Sequence, residues 1–151
     1  MTHRIQRLHP GDLSLVHGLL SAFDQAFEDP EAYSSKRPSA AYLNELLGSP
    51  TFIALVALSG DAVVGGLAAY ELRKFEQERS ELYIYDLAVL EAHRRQGIAT
   101  GLINALRAIG RERGAYVVYV QADPPDEPAV ALYTKLGTRE DVYHFDIDVE
   151  G

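Results

Sequence analysis

The run Arg94-Arg95-Gln96-Gly97-Ile98-Ala99 decides how the rest of this chain is read. Upstream of it, Leu82-Tyr83-Ile84-Tyr85-Asp86-Leu87-Ala88-Val89 has the apolar composition of a buried strand. Downstream, Ile98, Leu102, Leu106 and Ile109 recur at the spacing of one helix face. A strand stops, a short basic loop turns the chain at one glycine, and a helix begins. The first turn of a helix carries N–H groups without intrahelical partners and the positive end of the dipole, so the junction is a ready anion site. Glycine allows close backbone approach. Arg94 and Arg95 add charge suited to phosphate.

Two common phosphate loops are excluded by residue identity. A P-loop needs Lys-Ser or Lys-Thr after its last glycine, and a dinucleotide fingerprint needs three glycines where this loop has one. The pattern Arg94-x-x-Gly97-x-Ala99 after a strand instead resembles the acetyl-CoA loop of the GNAT N-acetyltransferases. Downstream, Asp126-Glu127-Pro128-Ala129-Val130-Ala131-Leu132-Tyr133-Thr134-Lys135-Leu136-Gly137 is similar to the second signature of that family. Asp126 stands where the family usually has asparagine, a mild departure because aspartate also caps helices well. The resemblance implies an α+β fold with a mixed, mostly antiparallel central sheet flanked by helices. It also implies acetyl-CoA as co-substrate, held by backbone at Gln96, Gly97, Ile98, Ala99 and Thr100 with help from Arg94 and Arg95. The preceding strand in that family splays from its neighbour, which assigns Leu87, Ala88 and Val89 to the pantetheine and thioester.

Longer runs narrow the likeness. Thr51–Leu55, Lys74–Gln77, Ser80–Val89, Tyr119–Asp123 and His144–Asp148 resemble the aminoglycoside 3-N-acetyltransferases that act on gentamicin-type antibiotics. The similarity runs from about Tyr33 to Asp148 and implies a polycationic acceptor. A polyamine, another small amine or a protein amine is the competing acceptor, and an acyl-CoA-binding sensor without turnover is the competing class.

Composition fits that reading. A chain of 151 residues, 47% hydrophobic, is one domain able to bury roughly two thirds of its unfolded surface. With no cysteine there are neither disulfides nor thiolate metal sites, and the histidines do not cluster at ligand spacing, so no metal is expected. No apolar stretch is long enough to cross a bilayer, and Met1–Gln6 lacks the apolar core of a signal peptide, so a cytoplasmic location is expected. The net charge of −8 argues against nucleic acid. Its distribution says more: five arginines oppose one glutamate between His93 and Arg113, and Glu140–Gly151 holds five carboxylates with no lysine or arginine. A basic loop in an acidic chain suits an anionic cofactor and a cationic acceptor. Solubilising surface charge is the plainer explanation.

Along the chain, His3–Leu8 reads as a first strand. Asp12 reads as an N-cap ahead of the apolar stripe Leu13, Val16, Leu20, Phe23 and Phe27. Glu28–Pro38 is an acidic, proline-bounded connection, and Ser39 caps a short second helix. Strands Thr51–Leu58 and Ala62–Leu72 flank the hairpin signal Ser59-Gly60-Asp61, and Gly65-Gly66 marks a bulge or close backbone approach. A polar loop follows, then the long strand Glu81–Val89. Next come helix Ile98–Arg113 ending at Gly114, strand Tyr116–Gln121, helix Pro128–Leu136 and a last strand within Val142–Val149. GNAT domains usually close with two strands here, and 14 residues from Thr138 to Gly151 accommodate one. Either a partner subunit supplies the other, making a homodimer, or the sheet is shorter.

Acyl transfer from a thioester to an amine needs a base, because the amine is an ammonium at neutral pH. Asp86 is the first choice. It lies toward the end of the strand, within an otherwise apolar run and beside the backbone assigned to the thioester, where a lone carboxylate would be costly without a cationic partner. A structural carboxylate is the competing reading, and Glu81 and Asp123 are the alternative bases or acceptor contacts. Tyr133 occupies the family position that gives a proton to the departing sulfur. Asp146 and Asp148 share one face of the expected last strand, placed to grip ammonium groups.

Overall fold

The computed structural model describes residues 3–28 and 36–151. Most of the expected acidic connection after Glu28 lies outside them. Strand β1 (Arg4–Arg7) leads to helix α1 (Leu13–Phe27), and helix α2 (Ala40–Gly48) follows. Strands β2 (Phe52–Ser59), β3 (Ala62–Arg73) and β4 (Ser80–Val89) form a meander. A short 3-10 turn (Glu91–His93), helix α3 (Ile98–Arg113) and strand β5 (Ala115–Val120) come next. The chain divides into two compact units, Met1–Gln121 and Ala122–Gly151. The second holds helix α4 (Glu127–Leu136).

The sheet of the first unit runs in the order β1-β2-β3-β4-β5. Every neighbouring pair is antiparallel except β4 and β5, which are parallel. A parallel pair needs a crossover, and α3 supplies it. On one face of the sheet, Phe52, Ala54, Val56 and Leu58 of β2 and Ala88 of β4 pack with Val16, Leu19 and Phe23 of α1 and Leu43 and Leu47 of α2. Ile53, Leu55, Leu67, Leu82 and Ile84 belong to the opposite set of alternating positions and are fully buried, as are Leu102 and Leu106 of α3. Each such side chain contributes about 1.5–3 kcal/mol on burial.

The helix ends follow from their sequences, with one exception. Ser39 accepts the Tyr42 N–H at 3.2 Å, and Gly114 closes α3 in the left-handed region at φ 76°. Asp12 does stand at the N-cap of α1, but its carboxylate turns back to accept the His9 N–H at 2.8 Å and caps nothing in the helix. The glycine pair of β3 marks both features expected of it. Val64 is skipped in the pairing with β2, and a Cβ on Gly65 would meet the Ala88 carbonyl oxygen at 2.8 Å.

The expected last strand does not form. Residues 138–149 carry no regular structure, and Tyr143, Phe145, Ile147 and Val149 are all exposed. Alternation prepares a segment to lie on a sheet, but a strand exists only when its N–H and C=O groups find a ladder. Within the tail the bonds are side-chain ones between near neighbours, Arg139 to Asp141 at 2.8 Å and His144 to Asp146 at 2.9 Å. Asp146 and Asp148 therefore share no strand face. Among the described residues the sheet has five strands.

Gly66 gives the first test. A Cβ there would collide with the Leu55 carbonyl oxygen and with Leu19 Cδ1, and the backbone contact cannot swing away. Gly66→Ala should lower stability by about 1–3 kcal/mol. A reduced urea midpoint with unchanged slope is the expected result.

Candidate active site

Strand β4 has two partners with different reach. Its pairing with β5 runs from Ser80↔Ala115 to Ile84↔Val120 and stops there, whereas its pairing with β3 continues to Val89. From Tyr85 onward the β5 side of β4 has no strand against it. Leu87, Ala88 and Val89 lie in that stretch. The Val89 carbonyl accepts the Arg94 Nε–H at 3.0 Å.

A bulge opens at the same point. Ile84 pairs with Ala69 and Asp86 with Ala68, so Tyr85 is an extra residue with no partner in β3. Paired residues share a face and successive residues alternate. Ile84 faces the buried side with Ala69, and Asp86 faces the other side with Ala68. Without the bulge, strict alternation would put the carboxylate beside Leu82 and Ile84 in the core. With it, Asp86 joins the face of Tyr70 and Tyr83 and is half-buried there. Asp86's charge helps push the hydroxyls of Tyr70 and Tyr83 above their ordinary value; burial is the larger cause in both.

Beyond β4 the chain forms the expected cradle. Arg95 and Gly97 adopt left-handed backbone, at φ 63° and 78°, and Gly97 is the N-cap of α3 without a side-chain cap. No acidic residue stands in the first turn, and the first helical bond goes from Gly101 N–H to the Gly97 oxygen at 2.9 Å. The N–H groups of Ile98, Ala99 and Thr100 thus meet no side-chain cap, and Arg94, Arg95, Gln96 and Gly97 are exposed around them. This donor set, with nothing negative beside it, fits a pyrophosphate. Arg94 does more than supply charge. Its hydrogen bond to Val89 ties the loop to the end of β4.

The other candidate carboxylates are placed differently. Glu81 accepts the Tyr116 hydroxyl at 2.6 Å and lies 3.6 Å from Lys74, so its charge is already engaged. A depression of about 510 Å³ sits at that end of the sheet, lined by Glu71, Lys74, Arg79, Ser80 and Arg113 among others. Ser80 donates to Glu71 there at 2.7 Å, and Arg113 meets the same carboxylate at 2.7 Å. Burial pushes the Glu71 carboxyl up, but these bonds outweigh it and hold the group below the usual range. The depression stands at the start of β4, the opposite end from the cradle.

In the second unit, Asp126 caps α4 by accepting the Ala129 N–H at 3.4 Å. Tyr133 is half-buried on that helix, and burial, with a smaller push from Asp126, raises its hydroxyl to about 12. Asp123, Asp146 and Asp148 are exposed. No group of three His, Cys, Asp or Glu able to hold a metal occurs among the described residues, and no helix among them is long and apolar enough to cross a membrane. The sequence reading passed over the tyrosines around Asp86. The signal was the spacing Tyr83-x-Tyr85 ahead of a carboxylate at the wrong parity.

Known acetyltransferases resemble this chain. The sequence model of the Acetyltransferase (GNAT) family matches residues 17–138. An aminoglycoside acetyltransferase from an uncultured soil metagenomic sample is 58% identical, with 99% of each chain covered and a TM-score of 0.97. A second such enzyme from soil, solved in complex with sisomicin, is 34% identical over 97% of this chain and 96% of its own, with a TM-score of 0.88. N-acetyltransferase 8B of Rattus norvegicus is 32% identical over 90 residues, 60% of this chain and 40% of that protein. The chain thus spans about two fifths of the length of curated relatives such as this one.

The cradle should depend on backbone shape more than on any one side chain. The Cβ site on Gly97 faces open space, so Gly97→Val leaves the core untouched. A β-branched residue at φ 78° is nevertheless strained by about 1–2 kcal/mol and carries its bulk over the helix N-terminus. Calorimetric titration should show acetyl-CoA affinity falling by tenfold or more, on the order of 1.4 kcal/mol, with thermal unfolding little changed. Arg94→Ala should cost less affinity than Gly97→Val.

Proposed function

The chain belongs to the GNAT acetyltransferase family, whose members use acetyl-CoA, and we propose that it acetylates an amino group of an aminoglycoside, the 3-amino group in particular. The observation that carries the acceptor class is the end-to-end likeness to a soil aminoglycoside acetyltransferase. Position 3 rests on the resemblance of the segments around β4 and after β5 to enzymes of that regiospecificity.

Acetyl-CoA supplies the acetyl group already activated as a thioester. The rest is the work of this chain. The α3 N-terminus, Arg94 and Arg95 hold the pyrophosphate by charge and by N–H groups that lack a side-chain cap. Backbone amides in Leu87–Val89, on the stretch of β4 that β5 leaves uncovered, polarise the carbonyl to be attacked. Asp86 takes the proton that the acceptor ammonium must lose, and the bulge sets it on the face of Tyr70 and Tyr83, turned from Leu82 and Ile84. Glu81 accepts the Tyr116 hydroxyl and lies beside Lys74. Asp123, Asp146 and Asp148 attract a polycation by their charge.

Tyr133 acts on the leaving sulfur, with one refinement of its role. A hydroxyl raised to about 12 keeps its proton where a thiol of ordinary acidity, about 8.5, has lost its own. Tyr133 therefore serves as a hydrogen-bond donor to the departing thiolate, and full transfer of its proton is uphill.

The test joins substrates to variants. Thiol release from acetyl-CoA should be stimulated by gentamicin-type aminoglycosides and not by spermidine or a peptide amine, with NMR locating the new amide on the 3-amino group. Stimulation by spermidine alone would overturn the acceptor. Asp86→Asn should reduce turnover by about 10²–10⁴ with acetyl-CoA still bound. Tyr133→Phe should slow it by roughly tenfold to a hundredfold, the worth of one hydrogen bond to a charged group. If Asp86→Asn instead raises only the aminoglycoside dissociation constant, Asp86 is a binding residue and the base is elsewhere.

A further inference from the structure

Nine tyrosines and no tryptophan stand in this sequence. Four of those tyrosines form, with Phe52, one unbroken line of rings across the sheet. Phe52 on β2 lies 5.3 Å from Tyr70 on β3, and Tyr70 meets Tyr85 on β4 edge-on at 6.3 Å. Tyr85 meets Tyr83 at 5.7 Å, and Tyr83 stacks on Tyr119 of β5 at 4.6 Å with planes 6° apart. Phe52 is 8% exposed and belongs to the core under α1 and α2. Exposure then rises along the line, to 36% at Tyr70 and 65% at Tyr85. Core packing explains the first ring. It does not explain Tyr85, the bulge residue, which has no partner in β3 and points an aromatic ring at solvent in the middle of a sheet.

We infer that Tyr70, Tyr85, Tyr83 and Tyr119 form the platform on which the rings of an amino-sugar acceptor lie, with Asp86 at its side receiving an ammonium group. The inference rests on the acceptor class proposed above and names the residues that select it. Ring faces carry the negative part of the aromatic quadrupole and attract cations within about 6 Å of the centroid. Their flat surfaces also match the C–H faces of saccharide rings. Tyrosine hydroxyls keep their protons at neutral pH, and burial pushes those of Tyr70, Tyr83 and Tyr119 further up, so Tyr70 and Tyr119 can donate to and accept from sugar hydroxyls while Tyr83 can accept. Three adjacent strands span about 10 Å, the length of a two-ring saccharide. The platform is also firm. The Tyr83 hydroxyl donates to Gln121 Oε1 at 2.9 Å, and its stack on Tyr119 fixes the plane. A linear polyamine offers such a surface only its cations; an amino-sugar ring system offers cations and ring C–H faces together.

Tyr85 is the residue to change, because nothing in the core leans on it. Tyr85→Ala should raise the KM and the calorimetric dissociation constant for gentamicin roughly five- to thirtyfold. The KM for acetyl-CoA and the thermal midpoint should stay near those of the unaltered protein. Tyr85→Phe keeps the ring and should restore gentamicin affinity to within about twofold. Equal gentamicin affinity in the unaltered protein and in Tyr85→Ala would overturn the platform while leaving the acceptor class standing. If the unaltered protein, loaded with coenzyme A, binds no aminoglycoside at all, the acceptor class fails and the platform fails with it.

Discussion

Strands alternate, and β4 has more to place than alternation permits. Leu82 and Ile84 must face the core, Leu87 pairs with the fully buried Leu67, and a carboxylate stands between them. Two apolar residues at even positions and one at an odd position cannot share a face in a regular strand. One extra residue, Tyr85, resolves the conflict by reversing the parity. A buried, unpaired carboxylate would cost several kcal/mol or be driven to the neutral form, useless as a base. Everything that makes a site here follows from that reversal: Asp86 off the core, the tyrosines beside it, and the end of β5 pairing at the neighbouring residue.

The cradle is governed by a different economy, one of omission. Helix α3 has no side-chain cap, no acidic residue in its first turn and a glycine where a capping hydroxyl would ordinarily stand. Each absence forgoes some helix stability, and together they keep the N-terminal dipole available to an outside anion. The helix is held instead by Leu102 and Leu106 in the core and by Arg111 and Arg113 in its last turn. In a chain of net charge −8, such a local positive field is what distinguishes a binding end from the surrounding surface.

Most elements were legible in the sequence because their boundaries are marked locally. Helix α3 runs from the residue after Gly97 to the residue before Gly114, as read, and Ser39 and Asp126 cap the helices assigned to them. The cradle was legible for the same reason. Two things were not. The direction in which Asp12 spends its carboxylate depends on a loop conformation that composition does not encode. The strand expected in Val142–Val149 was inferred from the alternation of Tyr143, Phe145, Ile147 and Val149, yet alternation describes a surface and pairing requires a neighbour. The bulge fell between these cases. Its trace, a carboxylate at core parity, was visible and was read as a catalytic residue without the geometry that permits it.

The bulge also sets how this protein can diversify. A residue in a regular strand answers to a cross-strand partner, to two diagonal neighbours and to the parity of all that follows it. Tyr85 has no pairing partner in β3, since the pairs on either side of it close without it. Its replacement, or even its loss, leaves Asp86 opposite Ala68 and Leu87 opposite Leu67. Beside a carboxylate fixed by register, the fold keeps one position whose side chain is free to vary. On the reading proposed above, acceptor preference can drift there under selection while the inherited chemistry stays where it is.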